Sequence, residues 1–399
     1  MTTPSVKAVR GVLPAESRDR SLVVGLSYFA AAAIVYSATF AAIGLVAGWS
    51  ARVGWSLVNG LTVGILFIVG HDACHGSLTP DGALNKWLGR IAFLPSLHPF
   101  AAWEYSHNAL HHGWTNLRGK DPVYAPRTLA EFRALPRWRQ RMERLYRSWP
   151  GLLPLYLLTI WWPLEIAPDV EHRSHIDKRG TFVFDRALVF AFPVLQAAVL
   201  GTVVSHQHLA SPGTAWATVA LALIAPFLAF SWLIAFATFQ HHTHPLVLWY
   251  DDENEWNYFR SQVQGTVHVE FPRWVELLLN NIMEHTAHHV DTRVPLYNLT
   301  AAQDALEEAF GAENVITERF SFKGMSRTFR ACQLYDYGLH RWLTFDGVPT
   351  TDARYLGRHE PPCRESPRLS DCLGTSSPVL PRDFPMPHRG GCSGAGRRT

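Results

Sequence analysis

Three short stretches concentrate imidazoles: HDACH from His71 to His75, HNALHH from His107 to His112, and HTAHH from His285 to His289. Their spacings of i, i+4 and i, i+3 place side chains on one face of a helix, one turn apart. An isolated HxxxH can be no more than a helix end whose imidazoles cap carbonyls or face water. Eight histidines (His71, His75, His107, His111, His112, His285, His288 and His289) in three such groups point to metal. A single zinc takes three or four protein ligands, so this number suits two ions with positions left open for oxygen or substrate. Imidazole alone does not name the metal, because iron, zinc, copper and nickel all accept it. Soluble di-iron bundles use Glu and ExxH instead, so a di-iron site here would be a histidine-rich counterpart.

Such a site needs elements that bring all three groups to one place. The chain has 399 residues and is 48% hydrophobic, with the apolar residues gathered into long runs. Ser21 to Gly48, Val53 to Gly70, Phe182 to Val204 and Thr214 to Phe239 approach or exceed the roughly 20 residues that cross a bilayer. The expected fold is an all-α integral membrane protein with four transmembrane helices in two hairpins and a cytoplasmic helical cap. Charge sets the orientation, since short loops rich in Lys and Arg stay in the cytoplasm. The N-terminal segment, residues 1–20, and the central segment with Lys86, Arg90, Arg118, Lys120 and Arg127 to Arg147 are basic; Trp49 to Arg52 carries only Arg52, and Ser205 to Gly213 has no Lys or Arg. Gly151 to Pro168 is apolar but carries Pro154, Pro163 and Pro168, with Trp161 and Trp162 suited to headgroup depth, so it should lie in the interface. Parity agrees: a crossing there would put the second and third histidine groups on opposite sides.

No cleavable signal peptide is evident, and the first apolar run should act as an anchor. The five cysteines form no framework and should be free thiols in a reducing compartment. Of 36 basic residues only five are lysine, a bias suggesting a GC-rich bacterial genome and hence a bacterial inner membrane. Thr300 to Phe310 reads as an amphipathic cap helix with Ala301, Ala305, Leu306 and Ala309 near one face. From about Gly357 the chain turns rich in Pro, Gly, Ser and Arg, and residues 357–399 are expected to be a disordered tail.

With these residues in view, the sequence resembles the membrane fatty acid desaturases of the HxxxH, HxxxHH, HxxHH type, closest to the acyl-lipid delta-12 or omega-6 branch. The matching stretches are HDACHGSL, YSHNALHHGWTN, FQHHTHP, HTAHHVDTRVPLYNL and CQLYDYGLHRWLTFDG, spanning about Gly70 to Gly347. The resemblance implies a desaturase domain over about residues 21–350 and a cap holding two Fe2+ ions, with O2 as co-substrate. It also implies a ninth histidine just beyond the last span. His244 is the candidate, with His241 and His242 competing and His268 further off. Asp72, Glu104 and Asp291 lie near ligands and could orient imidazole N–H groups or simply be solvated. His98, His172, His175, His206 and His208 fall outside the boxes and read as ordinary.

The implied reaction introduces a cis double bond into an acyl chain carried by lipid, CoA or acyl-carrier protein. Two irons activate O2, and the protein contributes ligand geometry and a dry tunnel. An apolar tunnel grips every methylene alike, so its closed end or a head-group contact must choose the carbon. Electrons must come from outside: HPGG, flavin and cysteine-cluster motifs are lacking, and HRGG in the tail lacks the proline. A ferredoxin or cytochrome b5-type donor is implied; nothing points to nucleic acid. A hydroxylase or acetylenase would need the same ligands. A membrane zinc hydrolase or metal transporter also clusters histidines, although the spans offer few polar residues for transport.

Overall fold

A computed structural model describes residues 3–176, 180–206, 212–354 and 356. Among these described residues, four helices are long and apolar enough to cross a membrane: α1 (Leu22–Leu45), α2 (Trp49–Cys74), α3 (Thr181–His206) and α4 (Pro212–His242). They match the four apolar runs. The Ser21 hydroxyl accepts from the Val24 N–H and starts α1, whose uncharged sequence then has nothing to stop it for 24 residues. Gly48, at φ 85°, turns the chain into α2, in a conformation open to glycine and strained for other residues.

Helix α2 is central. Half of its apolar window is buried, against 17% for α3, and it packs on α1, α4 and the helix Gly82–Phe93. Two devices hold it. Asn59 donates to Thr39 Oγ1 (2.8 Å) and to the Tyr36 carbonyl (3.1 Å), tying α2 to α1 by hydrogen bonds where no water competes. Toward α4, Gly60 lets the backbones meet: a Cβ there would lie 2.5 Å from Ala229 Cβ and 2.9 Å from the Pro226 carbonyl. Below the histidines, Phe67 stacks on Phe93 and meets Trp103 and Phe230 edge-on or tilted, forming the core of the fold.

The apolar segment with three prolines forms Leu152–Tyr156 and then a wide π-type helix, Leu157–Ile166. Together they give about 22 Å of helix at about 1.5 Å per residue, short of the hydrocarbon core of about 30 Å. Trp162 is exposed, and Trp161 donates to the Leu97 carbonyl.

Beyond the long helices, the chain departs from the all-α expectation. Strand β1 (Val267–Glu270) pairs in parallel with β2 (Ile316–Arg319), and β3 (Leu334–Asp336) pairs antiparallel with β4 (Arg341–Leu343). Each has three or four residues, too few for a period of two to stand out in sequence. Helices α5 (His285–Val290) and α6 (Leu299–Phe310) lie between β1 and β2 in the chain. The buried face of α6 is Leu299, Ala302, Gln303 and Leu306. The expected alanine face is thus corrected: Ala301 and Ala309 are exposed, because two leucines dominate what small alanines could bury, and Gln303 has partners inside.

Residues near the N-terminus are strapped onto this region. Asn298 donates to the carbonyls of Ser17 (3.2 Å) and Asp19 (3.1 Å), Arg10 to that of Val290 (2.9 Å), and Arg18 pairs with Asp291 at 2.8 Å. Burial alone would raise the Asp291 carboxyl, but hydrogen bonds from Arg293 and Arg18 outweigh it and bring it down to about 2. The expected tail, Lys178 and His208 lie outside the described residues.

Candidate metal centre

Helix α2 does not end at the apolar run but continues to Cys74, so His71 lies within it and His75 caps it, its N–H bonded to the His71 carbonyl. The second group sits on a π-type helix, Glu104–His111. In an α-helix, at about 100° per residue, His107 and His112 would point about 140° apart. The wider i→i+5 turn returns them to one side, and their Nε2 atoms lie 3.1 Å apart. His111 then points elsewhere. The third group is α5, buried at every residue, with the Ala287 N–H donated to Gln303 Oε1 at 2.9 Å.

The imidazoles form two adjoining groups. His71, His75, His107, His112 and His288 make one; His111, His242, His285 and His289 make the other; within each, one nitrogen per ring lies within 4.8 Å of all the rest. His71 Nε2 is 2.7 Å from His107 Nε2, His288 Nε2 is 3.1 Å from His112 Nε2, and His285 Nε2 is 3.0 Å from His242 Nε2. The rings of His112 and His289, one from each group, have centroids 4.3 Å apart.

These residues fit a pair of cations. A neutral imidazole has one N–H, so converging nitrogens at these distances cannot all satisfy one another, and His75 Nε2 and His289 Nε2 are buried without any protein partner. Burial first, and neighbouring imidazoles second, hold His75, His107, His112, His285, His288 and His289 well below the ordinary histidine pKa. They are therefore neutral, as ligation requires. A metal would replace the missing hydrogen bonds with bonds to lone pairs.

The ninth imidazole of these groups is that of His242, the last residue of α4; His244 is in neither. His244 has left the helix: it lies 3.2 Å from Glu318 and accepts the Leu246 N–H. His241 stacks on His285 with centroids 3.7 Å apart but belongs to neither group. His268 is held between Glu284 (3.1 Å) and Glu307 (2.6 Å), and His98 meets the Tyr156 hydroxyl at 2.7 Å.

The carboxylates singled out from sequence have other partners. Asp72 accepts the Leu296 N–H at 2.9 Å, Asp291 pairs with Arg18 and Arg293, and half-buried Glu104 lies near Lys86 and Arg90. The imidazoles of the two groups meet instead Asp121, 2.9 Å from His111 Nδ1, Gln262, 2.8 Å from His289 Nδ1, and the Thr115 hydroxyl, 3.3 Å from the same His289 nitrogen. Asp121 also accepts the Asn116 N–H, which fixes its carboxylate. In sequence Asp121 is one acid of a Gly-Lys-Asp-Pro turn, and Gln262 lies far from any box; neither carries a signal of its own.

A cavity of about 190 Å³ opens beside the histidines. Leu61, Gly64 and Phe67 of α2, Phe230 and Leu233 of α4, and Ile282 line it, and His71, His107, His111, His242 and His285 border it. Leu61 precedes His71 by ten residues, so the lining extends about 15 Å along α2. An unbranched apolar chain suits such a space, with one segment against the imidazoles and the rest among aliphatic side chains.

A family model described as fatty acid desaturase matches residues 47–320. The chain is 28% identical over 302 residues to the sn-1 oleoyl-lipid 12-desaturase of Picosynechococcus sp., covering 75% of this chain and 81% of that protein. It is 30% identical over 288 residues to the sn-1 oleoyl-lipid 12-desaturase of Anabaena variabilis, covering 71% of this chain and 76% of that one. To the chloroplastic omega-6 fatty acid desaturase of Spinacia oleracea it is 27% identical over 281 residues, 70% of this chain but 58% of the plant protein.

Proposed function

The chain belongs to the fatty acid desaturase family, and from that premise we propose that it introduces a cis double bond into a lipid-linked acyl chain, using O2 and two iron ions. The observation that carries this reading is the pair of adjoining imidazole groups beside an apolar cavity. His71, His75, His107, His112 and His288 would hold one iron, and His111, His242, His285 and His289 the other. The irons, when bound, supply the activation of O2 that removal of hydrogen from an unactivated methylene needs.

The chain's own residues do the rest. Asp121 and Gln262 fix the orientation of His111 and His289 through their Nδ1 atoms. Leu61, Phe67, Phe230 and Leu233 exclude water and align the acyl chain. The names of the cyanobacterial and plant relatives support a lipid-linked substrate and a position-12 or omega-6 double bond. Electrons come one at a time from an external ferredoxin or cytochrome b5-type donor. Lys7, Arg10, Arg18, Arg20 and Arg293 offer such an acidic partner a basic rim, where Arg20 bonds the Gly76 carbonyl next to His75. We place the domain over residues 21–350 of a bacterial inner-membrane protein, with the iron site facing the cytoplasm.

Nine clustered imidazoles, six of them buried, exceed the need of a zinc hydrolase, and the family assignment does not favour a transporter. The test is purification with metal analysis, followed by product analysis on lipid extracts with reduced ferredoxin, with and without O2. Two irons per chain and an O2-dependent double bond are expected. One zinc per chain and no O2 uptake would sink the reading, and a hydroxylated product would move it to the hydroxylases.

A further inference from the structure

Reduction of O2 to water during desaturation consumes protons as well as electrons: –CH2–CH2– + O2 + 2 e⁻ + 2 H⁺ gives –CH=CH– + 2 H2O. The electrons come from the external one-electron donor. The protons must reach a site whose cavity is almost wholly apolar. One titratable group near it has so far found no use.

Glu165, on the π-type helix Leu157–Ile166, is fully buried at 0% exposure. One carboxyl oxygen, Oε1, accepts the Ser106 hydroxyl at 2.8 Å; the other, Oε2, is buried with no partner. Tyr156 and Cys74 lie close enough to feel its charge, and among the described residues no Lys or Arg offsets it. An unpaired carboxylate in such a place is costly, whereas the neutral acid is not. Burial accordingly pushes Glu165 up to about 8, against the lesser pull of the Ser106 hydrogen bond.

The position turns this group into chemistry. Ser106 lines the cavity beside ligand His107, on the π-type helix that orients the second histidine box. Among the described residues its hydroxyl is the hydrogen-bonded link between the cavity lining and the Glu165 carboxyl. Two wide helical turns therefore face each other through this single hydrogen bond, a kind of irregularity that recurs at functional sites.

We propose that Glu165 is a proton reservoir for O2 reduction, acting through the Ser106 hydroxyl. For the transfer the Ser106 hydroxyl turns from Glu165 toward the cavity and gives its proton to the oxygen being reduced to water, while its oxygen takes one from the protonated Glu165, so the O–H bond of the acid breaks as that of the serine is restored. Glu165 is left as carboxylate and regains its proton from the aqueous side before the next turnover. Glu104 lies on the same helix as Ser106, half-buried and close to Lys86. One of the two protons in the balance comes by this route. The assignment rests on the desaturase reading, but part of its test does not.

Full-length, metal-free protein at pH 7 should show an infrared band of a protonated carboxyl that disappears in Glu165→Gln. The glutamine keeps the acceptor for Ser106 and cannot release a proton. In iron-loaded protein with reduced ferredoxin, Glu165→Gln should keep its iron and KM. It should lower kcat on the order of 10²-fold, the low end for loss of a general acid, and divert O2 to peroxide. Ser106→Ala, which leaves the acid in place, should leak peroxide likewise and covers the case in which the glutamine variant fails to fold. Absence of the band overturns the proposal, as does wild-type kcat with tight coupling in Glu165→Gln, or in Ser106→Ala should the former not fold. A wild-type enzyme that makes no double bond would instead refute the desaturase reading while leaving the infrared result intact.

Discussion

Three histidines in the stretch HHTHP could each have been the ninth ligand, and side-chain chemistry cannot rank them. Backbone direction decides. His242 still belongs to α4 and turns inward, whereas His244 follows the end of the helix and is taken by Glu318. The eight boxed histidines were legible because their spacing repeats the helical period; His242 was only one of three, and Asp121 and Gln262 carried no spacing at all. His242→Ala should release about one of two irons and abolish desaturation, while His244→Ala should leave both nearly unchanged; iron per chain and product yield decide. Removing the anchor of a ligand costs less than removing the ligand. Asp121→Ala should weaken iron binding about 10–100-fold, measurable by competition with a chelator, and equal retention with wild type would deny it that role.

The long helices were easy to read and their ends were not. Apolar runs located α1 to α4, but α2 runs through Cys74 because HDAC follows the helix without a breaker. The wide turns at Glu104–His111 and Leu157–Ile166 escaped notice because they arise from packing, and no residue pattern spells them. The two small sheets escaped because strands of three or four residues show no period. At this scale the site depends on how closely α2 and α4 approach. Gly60→Val would force a methyl group into Ala229 and the Pro226 carbonyl, whereas a Cβ at Gly64 meets only Phe230, at 3.9 Å. The valine variant should lose about 1–3 kcal/mol and partly detach His242 from the α2 histidines, seen as lowered Tm and lowered iron. Gly64→Ala should match wild type in both; if Gly60→Val did as well, the close packing would not be what sets the site.

For the whole molecule, the two metal groups draw on α2, the Glu104–His111 helix, α4 and α5, so every one of those chain segments must present its histidines on one side of the bilayer. The charge pattern leads to the same expectation, and the helical stretch Leu152–Ile166 is short for a crossing. If that stretch stays in the interface, two crossings separate His112 from His285, and Lys120 and Asp252 share a compartment. The turn before α2 should then lie across the membrane from both. Single cysteines at Lys120, Asp252 and Ser50, in a chain lacking native thiols, should react with an impermeant maleimide accordingly: the first two only after the cytoplasmic face is opened, Ser50→Cys in intact spheroplasts. Labelling of Lys120 and Asp252 from opposite faces would require a fifth crossing. His107 and His285 could then not meet, and neither iron would have its ligands.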